Sequence, residues 1–169
     1  MIRLTTGRKV GWAGEQRIPL PILMIAIVFD TNIFDRLESD PETLARVTQL
    51  INGGAIQIVV PRQVADELRR RPGGILNLFQ MTYVGHAVAR AGLMCAGDSL
   101  GSGAMFDEHL GNSQKVADAL IVDAASWHAD WLVSEDERCI RRFEASTLRA
   151  RCIPLRYEAF VGEIVGISS

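Results

Sequence analysis

The sequence predicts an α/β fold in which helices cover both faces of a parallel sheet. Short apolar, β-branched runs alternate along the chain with longer segments of helical period, as strands and helices alternate in this class. Each parallel connection carries a helix across the sheet, so the strands become buried on both faces. A length of 169 residues, 48% of them hydrophobic, suits one domain with a substantial core.

The first strand is predicted at residues 25–29, where the apolar run IAIVF stops at Asp30. The chain is expected to turn there, because Asp30 and Asn32 are residue types whose side chains bond to the local backbone. That structural role alone would explain Asp30. In open α/β sheets, however, ligands lie beyond the carboxyl ends of the strands, so the same carboxylate would face a binding crevice.

The helix that follows has sequence signals at both ends. Ser39 or Asp40 suits the N-cap, and Pro41 suits the first helical position. The Asn-Gly-Gly sequence at 52–54 is a stop signal. A helix is therefore predicted between these two signals.

The remaining elements are predicted from the hydrophobic period and from the positions of proline and glycine. They are a strand at 55–61, a helix at 62–71, a helix at 75–92, a loop or partly formed helix at 95–112, a helix at 113–129, a strand at 130–134, a helix beginning within 135–146, a strand at 151–155 and a helix at 156–166. Strands and helices thus alternate to the end of the chain.

The composition argues against a broad nucleic-acid-binding surface, a disulfide framework and a zinc site. The net charge of −2 argues against a broad basic surface for nucleic acid. Arginine predominates over lysine, which occurs only at Lys9 and Lys115, a bias that GC-rich coding explains at least as well as phosphate recognition does. The cysteines, Cys95, Cys139 and Cys152, are widely spaced and odd in number. They predict a reducing, cytoplasmic location and neither a disulfide framework nor a zinc site.

Residues 1–24 are predicted to form an N-terminal extension that packs poorly, ahead of a folded domain at 25–169. The apolar run at 18–29 contains two prolines and is followed by no small-residue cleavage site, unlike a signal peptide. It is also shorter than the roughly 20 residues that span a bilayer, so we expect no membrane association. Our hypothesis is that translation starts at Met24, just before the first strand.

Four acids occupy positions that a solvated surface acid seldom takes. Asp30 and Asp136 follow buried strands, Asp118 interrupts an apolar helix, and Glu67 adjoins the apolar face of its helix. Strand ends and helix starts share one rim of a parallel sheet, so these side chains can converge there. Converging carboxylates repel one another and resist ionisation unless a cation neutralises them. An all-oxygen donor set suits Mg²⁺ or Mn²⁺.

Each acid also has an ordinary structural explanation. Asp30 suits a turn, Asp136 suits a helix start, where the helix dipole favours an acid, and Glu67 suits an ion pair with an arginine on its own helix. Asp118 is the hardest to explain in this way, because a charge in an apolar helical run is costly unless it is matched. Asp123 shares a stripe with polar residues and is predicted to face solvent.

The chain resembles the PIN-domain ribonucleases, in particular VapC-like toxins of bacterial toxin–antitoxin pairs, in the stretches IVFDTNIFDRL, PRQVADELRR and KVADALIVDAASWHADWLVSEDERCIRRF. The resemblance covers residues 25–158. It implies a three-layer α/β/α sandwich around a parallel sheet, so that 25–169 would be a PIN-like nuclease domain. The N-terminal extension and the glycine-rich segment at 96–112 depart from the family.

The resemblance also assigns site residues. It implies four acids that bind the metal and carry catalysis: Asp30, Glu67, Asp118 and Asp136. Two polar residues match the family's supporting positions: Asn32 and Ser134. Phosphates flanking the cleavage site would meet two groups of arginines, although solvated helix faces explain these equally simply: Arg69, Arg70, Arg71, Arg138, Arg141 and Arg142.

The function expected from the resemblance is Mg²⁺- or Mn²⁺-dependent endoribonuclease activity that leaves 5′-phosphate and 3′-hydroxyl ends. A homodimer and an antitoxin protein that blocks the site are also implied. One alternative is a catalytically silent PIN-fold module that binds protein or RNA. Another is a phosphotransferase of the haloacid-dehalogenase kind, but that chemistry requires a second Asp where this chain has Asn32.

Overall fold

Strands and helices alternate along the described chain. The computed structural model describes residues 24–71, 78–85, 88, 102–111, 115–148 and 151–168. Within them the elements are β1 (Ile25–Phe29), α1 (Thr31–Glu38), α2 (Pro41–Asn52), β2 (Ile56–Pro61), α3 (Arg62–Arg69), β3 (Met81–Val84), α4 (Ala104–Leu110), α5 (Val116–His128), β4 (Trp131–Val133), α6 (Glu137–Ala145), β5 (Ile153–Leu155) and α7 (Tyr157–Gly166).

The five strands of the described chain form one parallel sheet in the order β3-β2-β1-β4-β5. β1 is central, with Val28 opposite Val59 of β2 on one side and Leu132 of β4 on the other. The helices complete a three-layer α/β/α fold, with α2 packed against α7 and α5 packed against α3, α4 and α6. The predicted fold class is therefore confirmed.

The core is built on the strands that are covered on both faces. Ile27 and Val28 are fully buried, as expected of a central parallel strand. Phe29 meets Phe34 of α1 and Phe160 of α7 edge to face, with ring centroids 5.8 and 5.2 Å apart. These contacts fix the end of β1 against two helices, which is the end that carries Asp30 into the candidate site.

The direction in which strands are added to the sheet reverses beside β1. From β1 the chain builds β2 and β3 on one side and then β4 and β5 on the other. In open α/β sheets such a reversal leaves a crevice beyond the carboxyl ends of the two adjacent strands, where ligands bind. The backbone N–H of Asp30 donates to the carbonyl of Val133 at 2.9 Å, so the residues after β1 and β4 share this rim.

α2 begins and ends where its sequence signals predict. Asp40 is the N-cap, its Oδ1 accepting from the backbone N–H of Thr43 at 3.1 Å, and Pro41 is the first helical residue. Gly53 follows the last turn. The hydroxyl of Tyr157 also donates to Asp40 Oδ2 at 3.1 Å and thereby joins α2 to the start of α7.

Two predicted segments are wrong. The helix expected at 75–92 contains the strand β3 in its described part, where Thr82 lies opposite Val59 of β2. A short apolar run does not distinguish strand from helix, and here the pairing with β2 decides. The chain does not bend back after Asp30 as expected; it continues directly into α1, with Asp30 as the N-cap. Residues 75–77, 86–87 and 89–92 lie outside the described residues.

The segment at 95–112 contains α4, which confirms a partly formed helix there, while 95–101 and 112 lie outside the described residues. So do residues 1–23, and with them most of the predicted extension. Cys139 and Cys152 are buried, and neither takes part in a disulfide. Across the described ranges, every helix is too short or too polar to cross a bilayer.

Candidate active site

Asp30 is fixed at the exit of the central strand. It caps α1, with its Oδ1 accepting from the backbone N–H of Thr31 at 2.7 Å. Its Oδ2 accepts from the Ser134 hydroxyl at 2.6 Å and from Asn32 Nδ2 at 3.2 Å. The first acid and both predicted supporting residues therefore form one hydrogen-bonded group.

Ser134 connects Asp30 to a second acid. It lies directly after β4 and is fully buried. Besides donating to Asp30, its Oγ accepts from the backbone N–H of Asp136 at 3.0 Å. One hydroxyl thus holds the residues that follow β1 and β4 in a single arrangement.

Glu67 reaches the same rim from α3. Its Oε2 accepts from the Thr31 hydroxyl at 2.5 Å, and its Oε1 accepts from Gln63 Nε2 at 2.6 Å. The neighbouring acid, Asp66, instead pairs with Arg69 on the surface, at 2.9 Å. Glu67 is therefore the acid of α3 that adjoins the candidate site.

Asp118 and Asp136 are bridged by a lysine. Lys115 Nζ lies 2.8 Å from Asp136 Oδ2 and 3.2 Å from Asp118 Oδ2. Asp136 also caps α6, with its Oδ1 accepting from the backbone N–H groups of Arg138 and Cys139 at 2.8 and 3.1 Å. The hydrogen bond from Lys115 holds the pKa of Asp136 below its ordinary value, and both acids raise the pKa of Lys115.

Burial and the negative charges of other acids disfavour the ionised form of Asp30. Burial raises the pKa of Asp30 above its ordinary value, and the negative charges of Asp118 and Glu67 raise it further. Hydrogen bonds from Ser134 and Thr31 act in the opposite direction. The carboxyl is thus held firmly in an environment that disfavours its charge unless a cation is near.

The thiol of Cys139, in the first turn of α6, is influenced by three of the four acids. Burial raises the pKa of the Cys139 thiol, and Asp30, Asp118 and Asp136 all act in the same direction. The contacts agree, since Asp136 caps α6, Ser134 joins its backbone to Asp30, and Lys115 bridges it to Asp118. Glu67 contacts Thr31, the residue after Asp30, so the four predicted acids are linked at one rim of the sheet.

The donor set suits a hard cation that keeps part of its water shell. It consists of carboxylate oxygens and of Asn32 Oδ1, which is buried and has no hydrogen-bond partner among the described residues. Among all the residues that the structure describes, no three Asp, Glu, His or Cys groups lie close enough to chelate one ion directly. Mg²⁺ commonly binds through one or two carboxylates and several waters, so these residues fit Mg²⁺ or Mn²⁺ bound partly through water.

The predicted RNA-binding arginines flank the acids. They lie at the end of α3 and along α6: Arg69, Arg70, Arg71, Arg138, Arg141 and Arg142. Arg71 pairs with Asp35, as Arg69 does with Asp66. These surface pairs would have to open, or to share their donors, for either guanidinium to contact a phosphate.

Sequence reasoning missed two contributors to the site. Thr31 has no local sequence signal for a role in the site, although its hydroxyl orients Glu67. The contact of Lys115 with Asp118 could have been predicted, because a spacing of three residues is one at which helical side chains meet. Its contact with Asp136 depends on the fold and has no local signal.

Asp123 is buried, so its predicted solvent-facing position is wrong. It is 1% exposed, and neither carboxyl oxygen has a hydrogen-bond partner among the described residues. Burial raises the pKa of Asp123, the nearby backbone of Phe106 lowers it by a smaller amount, and the charge of Asp107 raises it by less still. The prediction failed because α4 packs against α5 and brings Phe106 and Asp107 close to Asp123.

Comparisons with protein-family models, with curated proteins and with solved structures found no match for this chain. The geometry of its own residues is therefore the main support for a function.

Proposed function

We propose that this protein is an endoribonuclease that hydrolyses RNA phosphodiester bonds with the help of Mg²⁺ or Mn²⁺. The observation that carries the proposal is a set of contacts through Thr31, Ser134 and Lys115 that links four acids where the strand order reverses: Asp30, Glu67, Asp118 and Asp136. Such crowding is unfavourable unless a cation matches it. We choose RNA as the substrate because three stretches of the sequence resemble the PIN-domain ribonucleases.

Asp30 and Asp136 are the acids best prepared to hold a cation. Backbone N–H groups fix one oxygen of each, and Ser134 sets their separation. Asp118 shares the Lys115 ammonium with Asp136 and adds a third charge, and Glu67 is oriented by Thr31. The groups that position the acids thus come from α1, from the residue after β4 and from the first turn of α6.

The chemistry that a bound divalent cation supplies here is a lower pKa for coordinated water and stabilisation of negative charge on the scissile phosphate. Hydrolysis places the water oxygen on phosphorus, breaks the bond to O3′ and returns a proton to that oxygen. The products carry 5′-phosphate and 3′-hydroxyl ends. Arginines of α3 and α6 bind the flanking phosphates on either side of the acids.

A direct test compares cleavage of total RNA by wild type, Asp118→Asn and Glu67→Gln, each with Mn²⁺ and with EDTA. We expect wild type to cleave only with metal, and both variants to lose most activity. Asp66→Asn is the matched control, because Asp66 neighbours Glu67 in sequence but pairs with surface Arg69. Equal cleavage in chelator, or full activity of Asp118→Asn, would overturn the proposal.

We extend the proposal to a toxin that acts as a homodimer and is blocked by an antitoxin protein, as the family resemblance implies. Expression of wild type in a bacterial host should arrest growth, whereas Asp118→Asn should not. Co-expression of the neighbouring gene should restore growth. Light scattering of the purified protein tests the dimer, and failure of growth arrest by an active nuclease would remove the toxin role.

A catalytically silent module that binds RNA or protein is the second candidate, and one observation favours it. Lys115 already supplies positive charge between Asp118 and Asp136 without any metal. Such a module would bind RNA but leave it intact in saturating Mn²⁺. The phosphotransferase alternative gains no support, since the Asn32 amide, which donates to Asp30, cannot act as a general acid or base.

A further inference from the structure

Lys115 lies where a cation is needed. Its Nζ is 2.8 Å from Asp136 Oδ2 and 3.2 Å from Asp118 Oδ2, two carboxylates held on α6 and α5 respectively. The lysine side chain is 48% exposed, so it can leave the pair without disturbing the core. The ammonium therefore balances the charge of Asp118 and Asp136 through contacts that another cation can replace.

A divalent cation would compete for these same oxygens. Mg²⁺ requires carboxylate oxygens at about 2.0–2.1 Å, much closer than the ammonium contacts. An ion bound to either Oδ2 would lie within a few ångströms of Nζ, where two positive charges repel strongly. Ammonium and metal therefore exclude one another at the Asp118–Asp136 pair.

We propose that Lys115 is a resident counter-cation and that a divalent ion binds Asp118 and Asp136 only by displacing its ammonium. This inference rests on the metal site of the proposed function and adds a regulator of its occupancy. Lys115 stabilises the metal-free protein and weakens metal binding. The site would then be occupied only above a threshold concentration of divalent ion.

Titration calorimetry with Mn²⁺ on the purified full-length chain tests the affinity. Lys115→Met removes the charge and keeps the length of the side chain, and it should bind Mn²⁺ about tenfold more tightly, as expected from losing two partly exposed ion pairs. Arg156→Gln is the matched control, because it removes a positive charge that lies 2.8 Å from Glu137, the residue beside Asp136. Its Mn²⁺ affinity should equal that of wild type.

A second measurement follows the lysine in wild-type protein and does not depend on how a variant folds. The chain has two lysines, Lys9 and Lys115, so protein labelled with [¹³Cε]lysine gives two signals. Saturating Mg²⁺ should shift the Lys115 signal and leave that of Lys9 unchanged. Lys115→Met assigns the signals by removing one of them.

The outcomes separate this inference from the nuclease proposal. Tighter Mn²⁺ binding by Lys115→Met together with a Mg²⁺-dependent Lys115 signal supports displacement. If wild type binds Mn²⁺ while Lys115→Met binds no more tightly, or the Lys115 signal stays fixed at saturation, displacement is overturned and the metal site stands. If neither protein binds Mn²⁺, the metal site itself is wrong, and both proposals fall.

Discussion

The hydroxyl of Ser134 donates to Asp30 Oδ2 at 2.6 Å and joins the ends of β4 and β1 across 104 residues of sequence. The same oxygen accepts from the backbone N–H of Asp136 at 3.0 Å. Ser134 is fully buried, so water does not compete for these bonds. One hydroxyl therefore sets the separation of two of the four acids.

Replacing Ser134 with Ala should lower RNA cleavage about 10- to 100-fold, the usual effect of losing a group that orients a metal ligand. It should also reduce the free energy of unfolding by about 1–3 kcal/mol, because a buried partner is left unsatisfied. Cleavage assays and urea denaturation on the same preparations measure both. Ser126→Ala is the control, since its hydroxyl donates at 2.7 Å to Asp123 O within α5. Equal cleavage by the two variants would contradict a positioning role for Ser134.

Thr31→Val should impair the site through Glu67. Valine matches the shape of the buried threonine but removes the donor that lies 2.5 Å from Glu67 Oε2. We expect cleavage to fall about tenfold, with a smaller change in unfolding free energy of about 1 kcal/mol. Thr48→Val removes a comparable hydroxyl, which donates at 2.8 Å to Leu44 O within α2, and should keep full activity. A Thr31→Val protein as active as this control would show that Glu67 needs no orientation.

The parts of the fold that sequence predicts well are those with local signals. α2 could be bounded because Asp40, Pro41 and Gly53 each act on their own helix end. β3 could not, because Met81–Val84 becomes a strand through its pairing with β2, a contact that no local pattern encodes. Asp123 was misplaced for a related reason, since α4 covers a stripe that α5 alone would expose.

The candidate site divides in the same way. Asp30 and Asp136 could be selected because each follows a strongly apolar strand, and Asp118 because its helix is otherwise apolar. The contact of Lys115 with Asp136 crosses 21 residues and two elements, so it follows from the fold and not from spacing. Sequence thus identifies the acids, while the structure identifies what holds and neutralises them.

The burial of Asp123 predicts a pH dependence of stability. A carboxyl whose pKa is raised by folding stabilises the protein below its unfolded pKa, near 4, and that contribution is lost as pH rises through the folded pKa. Asp123→Asn should therefore be more stable than wild type at pH 7 by about 1–3 kcal/mol, because the amide keeps the shape of the side chain but carries no charge to bury. Urea denaturation from pH 4 to 8 should show a flatter profile for this variant. Glu108→Gln changes an exposed acid of α4 and should leave the wild-type slope; an unchanged slope in Asp123→Asn would mean that Asp123 is not buried in solution.

Two glycines should respond to alanine in opposite directions. Gly162 lies in the interior of α7 with nothing within 4 Å of an added Cβ, so Gly162→Ala should stabilise the protein by about 0.5–1 kcal/mol.

Gly111 ends α4 at φ 49°, and its added Cβ would lie 2.7 Å from Arg142 Nη2. Gly111→Ala should cost about 1–3 kcal/mol in backbone strain and push the Arg142 guanidinium away from α4. Thermal denaturation measures both, and RNA affinity in EDTA should fall for Gly111→Ala alone if Arg142 binds phosphate. A stabilising Gly111→Ala would show that the end of α4 relaxes freely, and would remove the constraint on Arg142.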